Sequence, residues 1–212
     1  FNLVTYNRSV APVYEFGGQF AFRTFDIGQM TLSAEQQRLE NNSEVIRRRY
    51  FRDDFKVRQE LDLTKRWKAG ADYTFSYFSN HNNRNEVAAD TLFYLTLEPR
   101  ALSVKYRYTF RDFRRRDDFY YAPHDYSLHT ISVRWKHYLN KEEIFFGAND
   151  LYYEAGYDFS IDSTGIISHR VLGGLGWDIT KRFQIKGEGQ YTHATTKVYE
   201  DAGAKASLKY YF

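Results

Sequence analysis

Charged residues at alternating positions are the first chemistry this sequence offers. Lys105, Arg107 and Arg111 are separated by two or four residues, and Arg134 and Lys136 by two. Asp150, Glu154 and Asp158 follow at spacings of four. Even spacing places each set on one face of an extended strand. Basic and acidic strands that lie side by side can neutralise each other through cross-strand ion pairs. The same residues can instead leave a polar path with a transverse field that selects among charged solutes. Ion pairs alone suffice to explain the pattern, so the two readings stand together at this stage.

Two arginine clusters offer a second chemistry. RRRYFRDD (47–54) carries Arg47, Arg48 and Arg49, and RDFRRRDD (111–118) carries Arg114, Arg115 and Arg116. The aspartates beside them can neutralise a solvated loop. The guanidinium fork also suits bidentate capture of phosphate groups. A third candidate chemistry is activation of water by Asp117, Asp118, His124, Asp125 and His129. Adjacent His and Asp on a strand point apart, however, and no set of these residues meets the geometric requirement for catalysis. In FSNHNN (78–83) a Ser lies near a His, which without geometry is a weak nucleophile–base pair. His124 and His129 are the closest histidines and repeat no ligand motif, so neither a metal nor a cofactor is expected.

The elements that must hold these residues are strands. ALSVKYRYTF (101–110) sets Leu102, Val104, Tyr106, Tyr108 and Phe110 against Ser103, Lys105, Arg107 and Thr109. The same period of two runs through 67–78, 145–159, 183–191 and 205–212. Composition agrees. Of 212 residues, 19% are aromatic, with 3 prolines, and Tyr and Phe favour strands. Mean hydropathy is only -0.66, and no run of about 18 apolar residues is present to make a transmembrane helix. Cysteine is absent, which removes disulfides and thiolate chemistry. With 30 basic and 27 acidic residues the net charge is +3, too balanced to imply a nucleic-acid partner. The GGLG of VLGGLGWD (171–178) lies in a strand, where its glycines would let the wall bend or approach its neighbour.

Connections alternate in length. Short turns at LTKRW (63–67), LEPRA (97–101), LNKEE (139–143) and ITKRF (179–183) alternate with longer polar segments at 79–86, 111–127, 160–165 and 199–203. Strands of about ten residues, rings near strand ends and this alternation together predict an all-β, antiparallel, transmembrane up-and-down β-barrel. It would have short periplasmic turns and long extracellular loops. The segment 1–212 reads as one barrel domain, and a start at Phe1 leaves room for a leader or a whole N-terminal domain ahead of it. Strand count depends on 23–54. Taken as one long hairpin above the membrane, it leaves about ten strands. Taken as a turn at 25–29 plus a strand at 30–39, with a first strand at 1–8, it gives about twelve. The first count is preferred, because the second would point Gln36 and Arg38 at lipid.

The chain ends KASLKYYF, with Leu208, Tyr210 and Phe212 on one face. This resembles the C-terminal strand of Gram-negative outer-membrane β-barrel proteins. The resemblance implies residence in the cell outer membrane and recognition of Leu208, Tyr210 and Phe212 by the barrel-assembly machinery. It also implies contact with outer-membrane lipid, with lipopolysaccharide phosphates as the ligand for the two arginine clusters. The alternating charges would then line a lumen, basic along Lys105, Arg107, Arg111, Arg134 and Lys136 and acidic along Asp150, Glu154 and Asp158. The expected function is a narrow channel or export conduit for polar solutes or polymer. The alternatives are a closed structural or adhesive barrel acting through its loops and a rim-active outer-membrane enzyme, omptin-like or lipid A-modifying. Omptin proteases and lipid A deacylase barrels resemble the scaffold too, but the omptin Asp-x-His pairing is missing and the deacylase His-x-Ser-Asn appears here in the wrong order. Exopolysaccharide exporters, which join periplasmic helical repeats to a C-terminal barrel, resemble the layout and would supply a periplasmic partner or a preceding domain.

Overall fold

The computed structural model describes residues 2–6, 13–39, 50–118, 120–139, 150–180, 182–195 and 200–210. It is all-β. Twelve strands form one sheet in which every strand bonds to its neighbour in sequence. They are β1 (Asn2–Tyr6), β2 (Val13–Thr24), β3 (Gly28–Arg38), β4 (Phe51–Asp62), β5 (Trp67–Phe78) and β6 (Asn83–Thr96). After these come β7 (Arg100–Phe113), β8 (Tyr126–Tyr138), β9 (Asp150–Asp162), β10 (Ile167–Thr180), β11 (Phe183–Ala194) and β12 (Glu200–Tyr210). The topology is antiparallel up-and-down, as the alternating connections predicted.

The twelve-strand count holds, and the preferred count of about ten does not. Residues 25–27 form a tight turn, and β3 pairs along its length with β2 and β4. Gln36 and Arg38 share a face with Leu32 and Ala34 and lie beyond them along the strand. Leu32 and Ala34 oppose Val57 and Phe55, and the polar residues come only at the far end of the strand. There Gln36 Nε2 donates to Asp53 Oδ1 at 2.8 Å, so both groups are satisfied. Arg52, Asp53 and Asp54, read as loop, therefore belong to β4. Of the loop expected at 199–203, residues 200–203 are likewise the start of β12. Phe145 and the LNKEE turn from residue 140 onward lie outside the described residues.

Two short turns share one chemistry. Thr64 Oγ1 accepts from the amides of Arg66 at 3.1 Å and Trp67 at 3.0 Å. Thr180 Oγ1 accepts from Arg182 at 3.2 Å and Phe183 at 3.0 Å. In each Thr-Lys-Arg-aromatic sequence the hydroxyl satisfies amides that the turn removes from the ladder.

The chain divides into two compact units. The first comprises Phe1–Leu63, Lys68–Asp90 and Tyr108–Ser127; the second comprises Thr64–Trp67, Thr91–Arg107 and Leu128–Phe212. In both, large apolar side chains are exposed while some polar ones are buried. In the first unit Phe20, Phe55 and Tyr73 are exposed while Asp72, Thr74 and Ser76 are buried. In the second, Val133, Tyr157 and Leu175 are exposed while Asp158 is buried. This inverts the usual distribution for a protein in water.

Candidate functional site: two charged faces

The polar face of the first unit is a ladder of ion pairs. Arg58 Nη1 lies 2.9 Å from Asp72 and 3.1 Å from Asp90, with Glu60 2.9 Å from Nη2. Lys56 reaches the other oxygen of Asp72 at 3.5 Å. Higher on the strands, Arg52 pairs with Asp54 at 2.8 Å and Arg84 lies 3.6 Å from the same carboxylate. Glu86 then accepts from Arg111 at 2.7 Å. The carboxylates are enclosed, with Asp72 1% exposed and Asp90 6%. The longest reach passes over Gly70. A Cβ there would sit 3.0 Å from the Arg58 guanidinium and 3.3 Å from the Asp90 carboxylate, so a side chain at residue 70 would crowd Arg58 where it crosses β5.

An aromatic cluster covers the end of this ladder. Leu39, Phe78, Phe113, Tyr120 and Ala122 are buried together, with Tyr50 packed against them. The Tyr120 ring stacks on Phe78, centroids 4.8 Å apart and planes 6° apart. Phe78 follows Asp72, Thr74 and Ser76 at intervals of two, and Phe113 follows Thr109 and Arg111 likewise, so both belong to the polar face. Tyr120 and Ala122 thus pack over that face. Asn82, 2% exposed, pins their loop: Nδ2 donates to Arg115 O and Tyr120 Oη, both at 2.9 Å, and Oδ1 accepts from the Arg115 amide at 3.1 Å. Asn80 donates to Asp117 at 2.6 Å. Burial raises the Tyr120 phenol above its ordinary value, with the bonds to Asn80 and Asn82 opposing the shift.

The second unit uses similar residues more openly. On β9, Asp158 is enclosed between two guanidiniums, Arg134 at 2.6 Å and Arg170. Those cations remain 35% and 43% exposed, against 20% for Arg58 and 11% for Arg84. Glu154 meets Lys186 at 2.6 Å, and Lys186 meets Glu188 at 2.9 Å. This chain skips β10 at Gly174, where a Cβ would stand 3.1 Å from the Glu154 carboxylate. Lys136 lies 4.1 Å and 4.6 Å from the ring centroids of Tyr152 and Tyr138.

The residues singled out in sequence are distributed as follows. Arg134 and Asp158 meet as expected of adjacent charged strands. Lys105 and Arg107 lie in the second unit, half-buried, whereas Arg111 belongs to the first and pairs with Glu86. Glu154 stands opposite Lys136 of β8 and pairs with Lys186, and Asp150 stands opposite Asp178. Arg114, Arg115 and Arg116 are exposed on the loop, with Arg115 donating to His81 O at 2.6 Å. Arg47, Arg48, Arg49 and Phe212 lie outside the described residues, and Leu208 and Tyr210 are exposed on the apolar face. The candidate catalytic residues do not assemble. His124 faces Asp112 at 3.3 Å, His129 bonds Tyr106 at 2.8 Å, and Asp117 is held by Asn80. Ser79 accepts from the Phe51 amide while His81 bonds Tyr77. Sequence reasoning missed Asp72, Asp90, Arg58 and Arg84, although the i, i+2 pattern of β4 and β5 carried the same signal. It also missed Asn82, for which no local signal exists.

No protein-family model matches this chain, and no curated protein does. Among solved structures it is similar to a bacterial polysaccharide outer membrane secretin, at 14% identity and TM-score 0.72, over 95% of this chain and 70% of that one. It is also similar to the KdgM porin in complex with disordered oligogalacturonate, at 12% identity and TM-score 0.52, over 94% of this chain and 92% of that one. The fold is that of outer-membrane β-barrel proteins.

Proposed function

We propose that this protein resides in the outer membrane as a single barrel domain and is a narrow conduit for polar solutes or polymer, with export as its direction. The half-exposed guanidiniums of Arg134 and Arg170 on the polar face of β8 and β10 carry the reading. Charges open to solvent act on passing ions and acidic groups, whereas fully enclosed pairs do not. The polymer class is supported by likeness to a polysaccharide secretin and to a porin bound to an oligogalacturonate. The apolar face meets lipid. Arg114, Arg115 and Arg116, exposed on the loop, contact lipopolysaccharide phosphates. The alternate apolar residues that end the chain are read by the barrel-assembly machinery, and a periplasmic partner or preceding domain delivers the polymer.

The test is ion conductance of the refolded protein in a planar bilayer, with reversal potential in a salt gradient. Steady conductance, with anion preference reduced in Arg134→Glu and Arg170→Glu, is expected. Folded, inserted protein without conductance would overturn the conduit. The second reading, a closed scaffold acting through its loops, is favoured by the enclosed ladder and aromatic cover of the first unit. It predicts that silent result.

A further inference from the structure

His169 and His193 are far apart in sequence, and the register of β10 and β11 sets them directly opposite each other. Residues opposite in an antiparallel pair have Cβ atoms about 4.5–5.5 Å apart, so two imidazoles there can share one ion. The pair is two residues from the start of β10 and one from the end of β11, on the face that carries Val171 and Tyr191. His193 is exposed and His169 half-exposed. The His169 ring is held by its surroundings. Its Nδ1 is 2.6 Å from Tyr157 Oη, and Phe159 packs against it with centroids 5.5 Å apart. When Nδ1–H donates to the Tyr157 oxygen, the lone pair lies on Nε2, which is the tautomer a metal requires.

We propose that His169 and His193 form a two-imidazole site for a borderline divalent transition metal, Zn²⁺, Ni²⁺ or Cu²⁺, with water in the remaining positions. Tyr157 is its positioning residue. Other histidines lack this arrangement: His129 stands opposite Ile161 and His137 opposite Tyr153. Among the described residues no group of three or more His, Asp or Glu is placed to hold an ion, so the site has two protein donors. It exists only when β10 and β11 are in register, so the metal staples the two strands in the folded state. The assignment is independent of whether the protein conducts.

The experiment is calorimetric titration of the untagged, refolded full chain with Ni²⁺ and with Cu²⁺ in a non-coordinating buffer. Expected are one site per chain, an affinity lowered about tenfold or more in His169→Ala and in His193→Ala, and no change in His129→Ala. Tyr157→Phe weakens binding less than either. Cu²⁺ spectra showing two nitrogen ligands, reduced to one in each histidine variant, would be the specific signature. Absence of binding, or binding that both variants leave intact, overturns the site. Should His169→Ala fail to fold, His193→Ala and His193→Asn, changed at an exposed position, decide alone.

Discussion

The two units spend similar side chains on different ends. In the first, Arg58, Arg84, Asp72 and Asp90 are enclosed, cross-linked over Gly70 and covered by Phe78, Phe113 and Tyr120. In the second, Arg134 and Arg170 hold one enclosed carboxylate and keep about two fifths of their own surface open. The difference is one of desolvation. A charge already stripped of water is committed to its partner, and breaking that pair leaves a buried ion. A half-exposed charge keeps water as an alternative, so it can exchange partners at small cost. One face therefore holds its charges in fixed pairs, and the other keeps its cations open to solvent.

The sharpest way to break this comparison is to remove one arginine from each unit. Arg84→Ala should cost about 3 kcal/mol, because Asp54 and Glu86 lose a cation and Ser76 loses two hydrogen bonds inside an enclosed network. Arg170→Ala should cost no more than about 1 kcal/mol, since Arg134 still holds Asp158. Urea unfolding of the two variants in micelles, followed by tryptophan fluorescence, measures both. Equal losses would mean that the two faces do not differ as their exposures indicate.

The aromatic cover gives the next effect. Tyr120→Ala removes the ring stacked on Phe78 and the hydroxyl bound to Asn82, a loss of about 3 kcal/mol for a large buried ring. The loss should fall mainly on the segment 114–125, seen as faster amide exchange there and unchanged exchange in β8 to β11. The phenol adds a pH dependence. Its folded pKa is raised above the ordinary value of 10.0, so the folded state holds the proton more tightly than the unfolded one. That contribution is complete below pH 10 and is lost as pH rises from there through the folded value. Protection factors in that segment, which are corrected for the hydroxide-catalysed intrinsic rate, should fall above pH 10 in the native protein and show no such fall in Tyr120→Phe.

How much of this was legible in sequence follows from the range of each interaction. The strands, the up-and-down order and the pairing of Arg134 with Asp158 came from a period of two and from adjacency, both local properties. The strand count failed at Gln36 and Arg38, because periodicity says which face a residue occupies and not how far along the strand the apolar band ends. The Arg58–Asp90 reach was invisible, since it passes over Gly70 and joins residues on three strands. Asn82 was invisible for a similar reason: its partners, Arg115 and Tyr120, lie on a loop more than thirty residues away. The histidine pair repeats the lesson, for nearness in sequence favoured His124 and His129 while register joined His169 to His193.

The smallest effect lies in the turns, where sequence was most informative. Thr180 Oγ1 takes the amides of Arg182 and Phe183 within a few residues, so its contribution is decided locally and owes nothing to either charged face. Thr180→Ala leaves two amides to water at an exposed turn, which should cost about 1 kcal/mol; Thr180→Ser, which keeps the oxygen, should cost less. Thr64→Ala should match it, because the same four-residue pattern makes the same two bonds. Unfolding midpoints of the three variants measure this. If Thr64→Ala and Thr180→Ala differ by more than the Thr180→Ala loss itself, the turns are not equivalent devices, and what each adds would depend on the strands it joins rather than on its own four residues.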